Sequence, residues 1–205
     1  MTASTADSVT SQVILDAART RLLADGYAGL STRKVAQEAG VPLSQVHYHF
    51  GSKGGMVLAV LEAENQRRLA RQTEMYAEDV PLWRRYDRAC DFLEDDLESG
   101  YVRVLQEMIA AGWSTPEIGD ATREMVKGWY ELLNDVATEA ADRFGGLGPF
   151  SPAEAAALVV NAFIGAEALL LLGFDRHQVP IRASLRRVGE LIRAAEERSA
   201  GHGGR

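Results

Sequence analysis

Six side chains between residues 33 and 53 form a set suited to hydrogen bonding with duplex nucleic acid. Gln45 carries an amide able to pair with adenine through two bonds at once. Ser44 is small enough for close approach and offers a hydroxyl to a base or a phosphate, while His47 and Tyr48 can donate to phosphate or stack against sugars and thymine methyls. Arg33 can clamp the backbone or reach a base from the side. Lys53 adds a cation at a helix N-terminus, a combination suited to phosphate. A metal is a poor fit: His47 and His49 stand at i, i+2, about 200° apart on a helix, so they cannot share an ion.

The elements that must hold these groups are two short helices and a tight turn. Thr32–Ala39 places Val35, Ala36 and Ala39 on one side, the pattern of a short helix with one buried face. Gly40 can take the left-handed conformation of a helix C-terminus, and Pro42 stops the first helix from running on. Leu43–Phe50 then buries Val46 and Phe50 at i, i+4 and leaves the polar set exposed. This is the pattern of a helix-turn-helix that enters the major groove. The bland alternative is a helical hairpin that serves as scaffold, with Val46 and Phe50 as core and His49 bonded to backbone.

This stretch, with the amphipathic helix QVILDAARTRLLADGY before it, resembles the DNA-binding domain of tetracycline-repressor-like (TetR family) transcriptional regulators. The matching segments are LSTRKVAQEAGV from Leu30, VHYHFGSK from Val46, and the long helix that follows. They cover about a quarter of the chain, and the remainder matches only as an all-helical domain of suitable length. The resemblance implies DNA contacts at Thr32, Arg33, Ser44, Gln45, His47, Tyr48, His49 and Lys53. Two departures stand out. Pro42 occupies the place where the family commonly has a capping hydroxyl, and Gly54-Gly55 follows Ser52 where a glutamate often completes a capping box. Each helical glycine costs roughly 0.5–1 kcal/mol relative to alanine, so a soft junction is expected there.

Composition agrees with a folded, soluble chain. The 205 residues can form one large domain or two small ones, with 46% hydrophobic and 25% charged residues. The net charge of −7 argues against nucleic acid only until its distribution is read. Residues 1–60 hold five basic and four acidic side chains, or +1, leaving −8 for the rest. Cys90 is the only cysteine, which excludes an intrachain disulfide and a cysteine metal cluster, and its neighbour Asp91 disfavours a thiolate. The N-terminus has neither the basic start nor the apolar core of a signal peptide. The apolar run Ala155–Phe174 approaches the length of a membrane span, but Asn161 and Glu167 inside it would be costly in lipid. The expectation is a cytoplasmic protein without a membrane segment, cofactor or metal.

Periodicity and caps predict an all-α fold of nine helices: about 9–25, 32–39, 43–50, 53–76, 82–97, 101–111, 116–144, 152–172 and 181–198. Residues 1–9 and the tail Gly201–Arg205 are expected to fray. A helix-turn-helix domain over 1–55 and an effector-binding and dimerisation domain over 56–205 follow, with the fourth helix as a stiff link of roughly 36 Å.

In the second domain the eighth helix is apolar nearly all round, and Leu158, Ala162, Ala166 and Leu169 with Leu185, Val188 and Ile192 of the ninth suit a two-fold dimer of four packed helices. An intrachain core explains part of that set equally well. A small-molecule effector pocket is expected among Phe92, Tyr101, Leu105, Met108, Trp113, Met125, Trp129, Leu133 and Phe163, most of which also suit plain core. Glu107 and Glu167 join them because a carboxylate in an apolar run needs a partner.

These features favour a DNA-binding regulator that represses by holding a palindromic operator as a dimer and lets go when a small, largely apolar effector binds. A helical enzyme or ligand carrier is the competing class, but no nucleophile–base pair, HExxH or phosphate-binding glycine loop is present. A nucleoid-type protein would need far more positive charge.

Overall fold

A computed structural model describes residues 2–174 and 176–202, with side chains from 7 to 200 apart from 175. Among the described residues the chain forms nine helices and no strand: α1 Thr2–Gly29, α2 Thr32–Ala39, α3 Leu43–Phe50, α4 Lys53–Tyr76, α5 Leu82–Glu98, α6 Tyr101–Gly112, α7 Pro116–Phe144, α8 Pro152–Leu171 and α9 Ile181–His202. The expected elements are all present. Helix α1 starts at Thr2 rather than near Val9, and α9 runs on to His202. The frayed ends expected at Met1 and Gly203–Arg205 lie outside the described residues. Gly26 has φ 73° and ψ 177°, so the regular part of α1 does end at the expected stop before one further turn.

The chain divides into two compact units, one of residues 1–66 with 99–122, the other of residues 67–98 with 123–205. This differs from the expected boundary at 55. Helix α6 joins the first unit because its polar residues are used on α1. Arg103 donates to the Leu23 carbonyl at 2.7 Å, and the Glu107 carboxylate accepts the Tyr27 N–H at 2.6 Å. The core of this unit holds Ile14, Ala18 and Leu22 of α1 against Val35, Val46, Met56, Val60 and Val102. Glu64 is buried and survives there because Arg19 meets it at 2.6 Å.

In the second unit Met75, Tyr76, Leu82, Ala89 and Ala140 form an apolar core. The Arg85 guanidinium is buried beside it, which would be costly for a bare charge. Its N–H groups reach both oxygens of Glu139 at 3.1 Å and the carbonyls of Tyr76 and Val80. Helix α9 is fastened along α5 by Arg182–Glu94 and Arg186–Asp91. Glu196 caps the start of α5 by accepting from the Leu82 and Trp83 N–H groups.

Candidate nucleic-acid interface

The turn between α2 and α3 forms for local reasons. Ser31 caps α2 by accepting the Lys34 N–H, and Gly40 takes φ 65°, ψ 30°, a left-handed conformation that needs glycine. The Val41 N–H then closes on the Ala36 carbonyl at 3.0 Å. Helix α3 starts at Pro42 without a side-chain cap, as expected. Val46 fixes its inner face, with 1% exposure.

On the outside, Arg33, Ser44, His47 and Tyr48 are exposed, and Thr32 and Gln45 are half-buried. Tyr48 is 70% exposed, a large aromatic group whose hydroxyl lies 3.5 Å from the Asp7 carboxylate. The His47 ring lies 3.1 Å from the Gly51 carbonyl, which orients it at the end of α3. Ser52 caps α4 by accepting the Gly55 N–H at 3.0 Å. The Lys53 ammonium stands 4.4 Å from the centre of the Tyr27 ring, so a cation–π contact holds it between the end of α1 and the start of α4.

His49 differs from the expectation. Its side chain is only 8% exposed, its ring packs edge-on against Tyr48, and its Nε2 lies 3.7 Å from Asp7. The early start of α1 covers it, a contact between residues 42 apart in sequence that local pattern cannot signal. Sequence reasoning also passed over exposed Lys34, which its place beside Arg33 could have suggested.

The expected effector residues are divided between the two units. Tyr101, Leu105, Glu107, Met108 and Trp113 belong to the first unit, and Phe92, Met125, Trp129, Leu133, Phe163 and Glu167 to the second. The Tyr101 hydroxyl donates to buried Asn65 at 2.9 Å, so it serves the core. Leu105 and Met108 are core as well. Glu107 has its partner in the Tyr27 N–H. Trp113 is 83% exposed just beyond the end of α6, a surface position rather than a pocket wall. In the second unit Met125 is buried, and Trp129 and Glu167 are half-buried. Phe92 lies under the Arg71 guanidinium at 4.0 Å, and the Phe163 ring meets Tyr86 edge-on at 6.1 Å.

A cavity of about 170 Å³ does exist inside the second unit, and of the eleven expected residues Leu133 alone lines it. Its other walls include Tyr76, Tyr86, Val136, Phe144 and Val159. Burial pushes both tyrosine hydroxyls well above the usual phenol range, so they stay neutral.

The expected dimer set also divides. Leu158 (53% exposed), Ala162 and Leu169 lie on the surface of α8, where Leu171 and Leu172 extend the apolar area. Ala166 and Leu185 are buried within the single chain, and Val188 and Ile192 line the cavity. Helix α8 is apolar on most sides, so its periodicity could not separate the inner face from the outer. Leu191 of α9, not anticipated, is 70% exposed.

Residues 14–60 match the family model described as bacterial regulatory proteins, tetR family. No curated protein sequence matches the chain. Solved structures match along nearly its whole length. A TetR transcription regulator from Haloarcula marismortui shares 18% identity over 90% of this chain and 96% of its own, with a TM-score of 0.72. A TetR-family transcriptional regulator from Agrobacterium tumefaciens shares 19% over 88% and 98%, with a TM-score of 0.70. The transcriptional regulator FadR from Bacillus subtilis, solved in complex with stearoyl-CoA, shares 17% over 88% and 96%, with a TM-score of 0.63. Residues 14–60 are thus a tetR-family regulatory domain, and the whole chain has the fold of TetR-family transcriptional regulators.

Proposed function

We propose that this chain is a ligand-responsive transcriptional repressor that binds a palindromic operator as a homodimer and releases it when a small, largely apolar effector binds. The observation that carries this reading is the exposure of Ser44, His47 and Tyr48 on α3, an eight-residue helix anchored by Val46. Thr32, Arg33, Gln45 and Lys53 supply the remaining hydrogen bonds and charge, and His49 joins them only if the Asp7 side moves away. One short recognition helix offers too few base contacts for specific binding, so paired half-sites about one helical turn apart suit it better.

The exposed leucines of α8 and α9 support self-association. Helix α8 is long and apolar enough to cross a membrane by length and composition. A second copy covers such a face better than lipid does, because Asn161 on α8 is hydrogen-bonded to Tyr130 and Glu167 carries a carboxylate. The protein accordingly acts in the cytoplasm. An effector is supported by the fold, since the FadR neighbour was solved with stearoyl-CoA.

The test is operator binding by fluorescence anisotropy across salt concentrations. Tyr48→Ala and Lys53→Ala are expected to weaken binding about tenfold while sedimentation still shows the parent dimer. Lys53→Ala should also lower the salt slope by about one. Gln45→Ala should cost about 1–3 kcal/mol and relax the preference at one base pair of each half-site. Parent-like affinity in both Tyr48→Ala and Lys53→Ala would remove α3 from the interface.

A further inference from the structure

Tyr27 and Lys53 stand on either side of a junction inside the first unit, where α1 closes and α4 opens. The Lys53 ammonium lies 4.4 Å from the centre of the Tyr27 ring, inside the roughly 6 Å over which a ring face attracts a cation. Both residues are half-buried, so the contact is partly shielded from water.

The backbone of Tyr27 is braced by α6. Gly26 breaks the regular helix with φ 73° and ψ 177°. Beside it the Tyr27 N–H donates to the Glu107 carboxylate at 2.6 Å, and Arg103 donates to the Leu23 and Ala24 carbonyls at 2.7 and 3.2 Å. A Cβ at Gly26 would meet Glu107 Oε1 at 3.0 Å and Arg103 Nε at 3.3 Å, so the glycine lets these two side chains close in. Tyr27 therefore presents its ring from a fixed turn.

The nature of the partner matters as much as its place. A carboxylate would hold the lysine but cancel its charge, as Glu124 and Glu131 do at 3.7 Å from Lys127 in the second unit. An approaching phosphate would then have to displace it. A neutral ring attracts the ammonium without cancelling its charge, and it takes up only one side of a group with three N–H donors. The other donors stay available beside the N-terminus of α4, which itself suits a phosphate. A lysine stem loses rotamer freedom when its head is immobilised, and a stem already held loses less on binding.

We propose that Tyr27 is a positioning residue for DNA binding, its ring holding Lys53 charged and in place at the start of α4 to meet a backbone phosphate. The inference rests on the DNA contact assigned to Lys53 above, and Tyr27 acts through that lysine rather than on DNA.

Phosphate contacts do not depend on sequence, so the probe is a fluorescein-labelled duplex of mixed sequence, titrated with the full-length protein at low salt. Tyr27→Leu should weaken binding roughly two- to fivefold, the range of a partly exposed cation–π contact, and Tyr27→Phe should match the parent. In a Lys53→Met background Tyr27→Leu should change nothing further, because the charge that the ring held is gone. Salt separates the two roles. Lys53→Met should lower the slope of log K against log salt by about one, whereas Tyr27→Leu keeps the cation and therefore the slope. Should Tyr27→Leu not fold, NMR of the parent decides: the ring should shift the Lys53 ε-methylene protons upfield, both in the free protein and on DNA. Equal weakening by Tyr27→Leu in both backgrounds, lost affinity in Tyr27→Phe, or absent ring-current shifts overturns the proposal. If Lys53→Met weakens binding and Tyr27→Leu does not, the positioning role alone fails. If Lys53→Met binds as tightly as the parent, the DNA contact of Lys53 fails and takes the positioning role with it.

Discussion

A Cβ on Gly55 would lie 2.4 Å from the carbonyl oxygen of Phe50, a distance that Cβ atoms essentially never show. The first turn of α4 thus rests directly on the end of α3, and the glycine permits it. Gly54 is different, since a Cβ there would meet only the Ser52 hydroxyl at 3.6 Å. The pair that suggests a soft junction in sequence therefore contains one residue fixed by close packing.

Gly55→Ala is expected to destabilise the protein by about 1–3 kcal/mol through overpacking. Gly54→Ala should stabilise it by about 0.5–1 kcal/mol, the helix-propensity gain. Urea unfolding of both variants checks the contrast; equal effects would refute the packing argument.

Asp7 sits against the recognition helix, 3.5 Å from the Tyr48 hydroxyl and 3.7 Å from the His49 ring. Its charge opposes an approaching phosphate. Asp7→Asn should tighten binding to DNA by about 0.2–1 kcal/mol, up to roughly fivefold, at low salt. The gain should fade near 1 M salt, where screening extends over only about 3 Å. Anisotropy at two salt concentrations measures it.

Glu107 ties α6 to the end of α1 through the Tyr27 N–H. Glu107→Ala leaves that donor unpaired and should cost about 1–3 kcal/mol, whereas Glu107→Gln keeps an acceptor and should cost less. Chemical denaturation ranks the two, and the reverse order would refute the hydrogen-bond argument.

Helix α8 opens with a reciprocal cap in which Ser151 and Glu154 bond each other's backbone N–H groups. The Ser151 backbone N–H, and then its hydroxyl, hold the Glu154 carboxyl below its ordinary range. A depressed acid contributes stability that is present above its unfolded-state value and lost as pH falls through the folded one. Carbon-detected NMR titration should therefore find Glu154 ionised below the ordinary glutamate range, with the start of α8 fraying as it protonates. Ser151→Ala should move the titration back toward ordinary behaviour.

Cys90 should be slow toward thiol reagents. Burial raises its thiol to about 11, with Asp87 and Asp91 adding to the rise against Arg186. Reaction with an aromatic disulfide at pH 8 is expected to be much faster in denaturant than in the native protein. Equal rates would place the thiol at the surface.

Local chemistry marked six of the nine helices among the described residues, which carry their own stop or cap: Gly26, Gly40, Pro42, Ser52, Pro116 and the Ser151-Pro152 start. The exposed set on α3 was legible for the same reason, since Val46 and Phe50 at i, i+4 leave Ser44, His47 and Tyr48 outside. Contacts between distant segments decided the rest. Asp7 reaches His49, Glu107 reaches Tyr27, and Val188 and Ile192 turn toward a cavity rather than the surface. A helix that is apolar all round, such as α8, has no period to reveal which side faces inward. Which of its leucines are covered depends on where α9 and α7 lie, and only the folded chain supplies that.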